Sequence, residues 1–287
     1  MKIQELFSKD ISRAINGVVK AEQMDEASVW QELDEFVVTK ELLKHFDRFF
    51  SVYSDSIDQP DDVDISGNIG VWVSGFFGSG KSHFIKALSY LFKNNEVGSD
   101  GDKKKAIEFF EEKIEDSLLF GTMKRVVVKD ADVILFNIDS KADQAQGRDA
   151  ILAVFLKVLN ELQGYSPDHP HIAHMERYLE QNNKLETFHK IFNELVGSSW
   201  DEQRDNYMFN QDEIVKALSQ TLGQSEEASH RWIDHAETDF SLTVENFTCW
   251  VKEYLDSKGA EHRIFFFVDE IGQFIGQDGR LMLNLQA

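Results

Sequence analysis

The eight residues GFFGSGKS, 75–82, stand between the apolar run IGVWVS and the stretch HFIKALSYLF. No other part of the chain restricts its fold as much. The run before them is short, β-branched and aromatic, which predicts a strand buried on both faces. After them Phe84, Ile85, Leu88, Leu91 and Phe92 recur at three- and four-residue intervals, which predicts a helix with one apolar face. A loop of this kind turns its backbone N–H groups inward, through dihedrals and close approaches that glycine tolerates and a Cβ obstructs. An anion held there also sits on the N-terminus of the following helix, where unpaired N–H groups and the helix dipole favour negative charge. The spacing G-x-x-x-x-G-K-[ST] adds a lysine and a hydroxyl at the helix start. Gly75, Phe76, Phe77, Gly78, Ser79, Gly80, Lys81, Ser82 and His83 are the candidate nucleotide-phosphate residues. Lys81 is expected to reach the β- and γ-phosphates and Ser82 to ligate Mg²⁺. The plainer alternative is a glycine-rich turn with a solvated lysine.

A second constellation, IFFFVDE, ends a bulky apolar run in two carboxylates, Asp269 and Glu270. A strand of this composition delivers them at the carboxyl edge of a parallel sheet, where ligands of open α/β sheets bind. By itself such an ending is common in ordinary strands. Beside a phosphate cradle it acquires a role, since Asp269 can hold Mg²⁺ and Glu270 can take a proton from attacking water.

Composition excludes some classes. A formal charge of −21 and a pI near 4.8 argue against a nucleic-acid footprint spread over this segment and leave room only for a local basic groove. Cys249 is the single cysteine, so neither an internal disulfide nor a multi-cysteine zinc site is available, which fits a reducing compartment. No run reaches the roughly 20 apolar residues of a membrane span, and cytoplasmic localisation is the expectation.

The organisation expected is an α/β parallel sheet carrying N-terminal helices and a long helical insertion. Residues 1–60 read as a helical leading segment, with Thr39 able to cap a second helix; 61–147 as the first part of the nucleotide-binding core; 148–260 as the insertion; and 261–287 as the return to the core. IEFFEEKIEDSLLF predicts a helix, VVV a short strand, ADVILFNID a second buried strand, and SDSIDQPDDVDISGN and NNEVGSDGDKKK polar connections. Phe36 and Val37 read as core packing, with a place near adenine as the sharper alternative. His169, His171 and His174 cluster, but metal binding needs further ligands, and solvated or helix-start histidines are the simpler expectation. Asp139 reads as a strand-end cap and Lys103, Lys104 and Lys105 as a charged helix start. His83 is expected to pack beside the loop.

Taken together, the loop resembles that of the P-loop NTPases, and the Asp-Glu pair resembles the additional-glutamate branch that includes AAA+ ATPases. MKIQELFSKDI, VWQELDEFVVTKELLKHFDRFF, GVWVSGFFGSGKSHFIKALSYLF and FFFVDEIGQFIG further resemble the large ATPase of BREX bacteriophage-defence systems, the BrxC/PglY family. That resemblance implies ATP and Mg²⁺ as cofactors, other defence-system proteins as partners, DNA association through the complex and not through this acidic segment, and an oligomer. It also implies a chain much longer than this one, so that the sheet is incomplete beyond GRLMLNLQA and the fragment weak or inactive while the full-length protein hydrolyses ATP. No position is identifiable as an arginine finger; Arg148, Arg263 and Arg280 are candidates only in being arginines. The competing reading is a nucleotide-gated scaffold with little turnover. A small-molecule kinase is disfavoured, because the Asp-Glu pair suits water activation.

Overall fold

Capping chemistry sets the first two helices in register. The Asp25 carboxylate accepts from the Ser28 amide at 3.0 Å and the Thr39 hydroxyl from the Leu42 amide at 3.2 Å. They start α1 (Glu26–Glu35) and α2 (Lys40–Asp58), the second as expected from Thr39. The computed structural model describes residues 25–67, 70–99, 102–142 and 149–276. MKIQELFSKDI, Arg148, Arg280 and GRLMLNLQA lie outside the described residues. The chain divides into two units: Met1–Asn137 with Glu261–Asp269, and Ile138–Ala260 with Glu270–Ala287.

In the first unit, α3 (Val63–Ser66) precedes the glycine-rich loop and α4 (Lys81–Lys93) follows it. A hairpin of β1 (Glu96–Ser99) and β2 (Asp102–Lys105) comes next, then a 3₁₀ turn over Ala106–Phe110 and α5 (Ser117–Val127). β3 (Ala131–Asn137) and β4 (Arg263–Asp269) pair in parallel, with Ala131 opposite Arg263 and Asn137 opposite Asp269. Side chains alternate across a strand, so Phe265 and Phe267 share a face with Asp269. That face meets Phe92 of α4, whose ring lies 4.2 Å from Phe265 and 6.4 Å from Phe267, and Tyr53 of α2, 5.3 Å from Phe265. The core behind it is aromatic, with Phe36, Phe46, Phe50, Phe84 and Phe110 all buried. Each fully buried phenylalanine is worth about 2 to 3 kcal/mol of transfer free energy.

Several expectations need correction. Residues 70–74 form no strand, because a strand is held by its ladder and β3 and β4 pair only with each other among the described residues. Val71 and Trp72 are exposed, and of the described residues of the run Val73 packs on the core. β3 and β4 are half-buried instead of covered on both faces, in a sheet of two strands among the described residues; Phe136 is the exception. VVV belongs to the end of α5, where Val126 and Val127 extend the buried stripe of Leu119 and Met123 and packing overrides β propensity. The helix expected through IEFFEEKIEDSLLF breaks and restarts at Asp116, whose carboxylate accepts from the amides of Leu118 and Leu119. Lys103, Lys104 and Lys105 lie on β2 and do not start a helix, and Lys104 rests over the rings of Trp30 and Phe109.

The second unit is helical: α6 (Ile138–Lys141), α7 (Ala150–Gln163), α8 (Pro170–Gln181), α9 (Leu185–Val196), α10 (Trp200–Gln203), α11 (Gln211–Leu222), α12 (Glu226–Asp239), α13 (Val244–Lys258) and α14 (Ile271–Ile275). Its core gathers Phe188, Phe192, Trp200, Ile214 and Leu218. Glu176 is buried there, accepting from the Ser166 amide and Trp200 Nε1, each at 2.6 Å, and burial pushes its carboxyl above the usual carboxylate range. Among the described residues no helix is long and apolar enough to cross a membrane.

Candidate functional site

The loop between residue 75 and α4 is shaped by its glycines. Ser79 N–H donates to the Phe76 carbonyl at 3.2 Å, closing a turn whose third residue, Gly78, has φ 75°; Gly80, at φ 87°, enters the helix from the left-handed region. A side chain at either position is strained by the backbone itself. Gly75 is constrained differently, since a Cβ there would lie 2.7 Å from Ser79 Oγ. The first helical bond runs from Phe84 N–H to the Gly80 carbonyl at 2.9 Å. The amides of Lys81, Ser82 and His83 therefore belong to the helix turn that has no carbonyl of its own to bond. Lys81 Nζ bends back over the loop and donates to the carbonyls of Gly75, at 3.1 Å, and Phe76, at 3.0 Å.

Ser82 Oγ donates to Asp269 Oδ1 at 3.1 Å across 187 residues of chain. Strand alternation and aromatic packing explain the meeting. Phe92 seats α4 on the Phe265 and Phe267 face of β4, Asp269 is the last residue on that same face, and Ser82 occupies the first turn of α4. A hydroxyl and a carboxylate are the hard oxygen donors that Mg²⁺ selects, so the pair suits that ion. Asn137, the partner of Asp269 in the parallel register, ends β3 beside it. Asp139, read from the sequence as a strand-end cap, lies in α6 past the strand end. Only the register reveals Asn137.

The remaining candidates fall in different places. Phe76 and Phe77 are fully exposed, and the Phe76 carbonyl accepts from Lys81. The His83 ring turns to α1, with Nε2 3.4 Å from the Glu32 carbonyl and the ring edge-on to Phe36 at 4.8 Å; burial keeps it below the ordinary histidine range. Phe36 is core and Val37 exposed. Glu270 follows Asp269 in the left-handed conformation at φ 62°, its carboxylate accepting from Gln273 Nε2. Arg263 Nη1 donates to the His262 carbonyl at 3.0 Å.

One part of the site's support left no mark in the sequence patterns. Lys86, one turn along α4, is buried and ion-paired with buried Glu32 of α1 at 3.0 Å, and Tyr90 Oη donates to the same carboxylate at 2.9 Å. Burial and the Glu32 charge drive the Tyr90 phenol well above its usual range. Neither Lys86 nor Tyr90 belongs to a motif; a lysine at a position flanked by Ile85 and Ala87 is the one hint the sequence offers.

The histidine cluster is absorbed by packing. His171 Nε2 lies 3.0 Å from Tyr207 Oη, His169 Nε2 lies 3.2 Å from the Asp205 carbonyl, and His174 packs against Phe240 and Trp250. Among the described residues no group of three or more His, Cys, Asp or Glu side chains is placed to hold a metal.

No solved structure matches the chain. A family model, the KAP family P-loop domain, matches residues 46–275, taking in the glycine-rich loop, the helical unit and the Asp-Glu strand end. With loop, lysine, hydroxyl and strand-end carboxylate on the matched stretch, the chain belongs to the KAP family of P-loop NTPases.

Proposed function

We propose that the protein binds ATP and hydrolyses it with Mg²⁺, as a component of a bacterial BREX-type bacteriophage-defence complex. The observation that carries the catalytic part is the 3.1 Å meeting of Ser82 and Asp269 at the mouth of the loop. The P-loop family supports nucleotide binding; the strings around the loop and the Asp-Glu strand, which resemble the BrxC/PglY ATPases, support the defence role.

In this reading the loop amides from Gly75 to Ser82 take phosphate oxygens. Lys81 exchanges the carbonyls of Gly75 and Phe76 for the β- and γ-phosphates, and its charge remains to balance theirs. Ser82 and Asp269 hold Mg²⁺, which, when bound, neutralises charge developing on the phosphate oxygens. Glu270 accepts the proton of the attacking water. The partners are other defence proteins, DNA is reached through the complex, and the setting is the cytoplasm. Titration of nucleotide with and without Mg²⁺ tests the reading. Tight Mg²⁺-dependent binding abolished by Lys81→Ala, with turnover abolished by Glu270→Gln, is the expected result; nucleotide affinity indifferent to Lys81→Ala refutes it.

A nucleotide-gated scaffold is the second reading, favoured by the helical unit having a core of its own around Phe188, Phe192 and Trp200. In that case Lys81→Ala blocks assembly while Glu270→Gln changes nothing.

A further inference from the structure

Among the described residues, three positions other than glycine have positive φ: Asn94, Asn183 and Glu270. Asparagine visits that region readily; a glutamate does so only where its surroundings insist. Glu270 is the N-cap of α14, yet its carboxylate makes no capping bond to the helix amides. It is instead engaged by Gln273, three residues on, whose Nε2 donates to Oε2. In an ordinary capping box the side chain at this third helical position turns to the N-cap backbone. Here it goes to the N-cap carboxylate.

We propose that Gln273 is a positioning residue for Glu270: a neutral amide that fixes the rotamer of the carboxylate in the nucleotide-free protein, so that the base is oriented before substrate arrives. The inference rests on the hydrolytic reading given above. The chemistry suits the task. An amide carries donors and no charge, so it can restrain a carboxylate without neutralising it, as a lysine or arginine would tend to do. A base held by a third group is the arrangement that general-base catalysis uses repeatedly. The three-residue spacing places Gln273 within reach of Glu270 across the first turn of α14.

Two measurements test it. In nucleotide-free protein carrying ¹⁵N-glutamine, the Gln273 side-chain amide is assigned by its loss in Gln273→Met. It is expected to shift, and to exchange faster with solvent, in Glu270→Ala; an amide unmoved by Glu270→Ala overturns the contact. In Mg²⁺-ATP turnover, Gln273→Met, which keeps length and loses the donor, is expected to lower kcat about tenfold, the low end of what loss of an orienting partner costs. Nucleotide Kd should stay within about twofold, and Gln273→His, assayed at about pH 8 where the imidazole is neutral and still offers an N–H donor of comparable reach, should retain most of kcat. Equal losses in the two variants, or a change confined to Kd, leaves only a structural role and overturns the proposal. Glu270→Gln turning over normally, or no turnover at all in the unsubstituted full-length protein, removes the hydrolytic reading and with it the role of Gln273, while the amide shift still reports the contact. Loss of turnover in Glu270→Gln beside normal kcat in Gln273→Met overturns the proposal and leaves the hydrolytic reading in place.

Discussion

Gly75→Ala separates two reasons for a glycine in this loop. The backbone at residue 75 is not in the left-handed region, so alanine carries no intrinsic strain there. What it meets is Ser79 Oγ at 2.7 Å, with Ser79 Cβ at 3.6 Å and Lys81 Cγ at 3.7 Å, both ordinary contacts. Only the hydroxyl has to yield, by leaving its rotamer, which costs on the order of 1 kcal/mol. If the displaced hydroxyl distorts the loop by that much, nucleotide affinity falls about fivefold. Deleting the hydroxyl removes the conflict. The cycle of wild type, Gly75→Ala, Ser79→Ala and the double variant, read by nucleotide titration, is therefore expected to show a coupling of about 1 kcal/mol, with the double variant near Ser79→Ala alone. Gly80→Ala is the control: nothing lies within 4 Å of its Cβ, but φ 87° penalises any side chain, so Ser79→Ala should not rescue it. If Gly75→Ala binds as weakly with Ser79→Ala as without it, the internal clash is not the reason for the glycine.

Three further outcomes follow from the same geometry. Ser82→Ala and Asp269→Asn should each abolish most of the Mg²⁺ enhancement of nucleotide affinity, while Ser82→Thr keeps it; titration with and without the metal decides this, and an unchanged enhancement in Asp269→Asn refutes the shared metal role. Lys86→Met leaves the Glu32 carboxylate buried beside Tyr90 without its cation, which should cost about 3 to 5 kcal/mol, and adding Glu32→Gln should recover much of it; equal urea midpoints for the single and double variants contradict this. Burial holds His83, His171, His174 and His189 below the ordinary histidine range, so the unfolded chain takes up protons that the folded one refuses. Stability is complete above the unfolded histidine value of about 6.5 and declines as pH falls below it; thermal melts from pH 7.5 to 5.5 should show it, with His171→Gln flattening the slope.

What could be read from the chain alone was whatever local pattern decides. The helix of residues 81–93 follows from spacing and α2 from its Thr39 cap, as do the helices that begin at Ala150, Pro170, Leu185, Gln211 and Val244. The strands 131–137 and 263–269 follow from bulky apolar runs, and their parallel pairing from the α/β pattern. α12 escaped notice because EEASHRWIDHAETD buries only Ser229 and Ile233, too narrow a stripe to show as periodicity. The hairpin of β1 and β2 was hidden in polar residues whose strand character comes from pairing with each other. Residues 70–74 carry strand-forming side chains and still form no ladder, because a strand depends on neighbours that its own sequence does not specify. At the candidate site, residue types in a motif were legible. Asn137, the Lys86–Glu32–Tyr90 cluster and the Gln273 contact were not, since each depends on register or on a fold-level encounter.

The parallel register of β3 with β4 also carries a consequence for the order in which the protein matures. Asn137 leaves one strand and Arg263 begins the next, so a complete helical unit is spliced into what is ordinarily a short crossover. A ribosome making this chain releases the phosphate cradle long before the carboxylate that Ser82 meets 187 residues later. The nascent cradle therefore waits, without its acidic counterpart, until the helices between have been synthesised, and closing that long loop is a slow, late step of biogenesis.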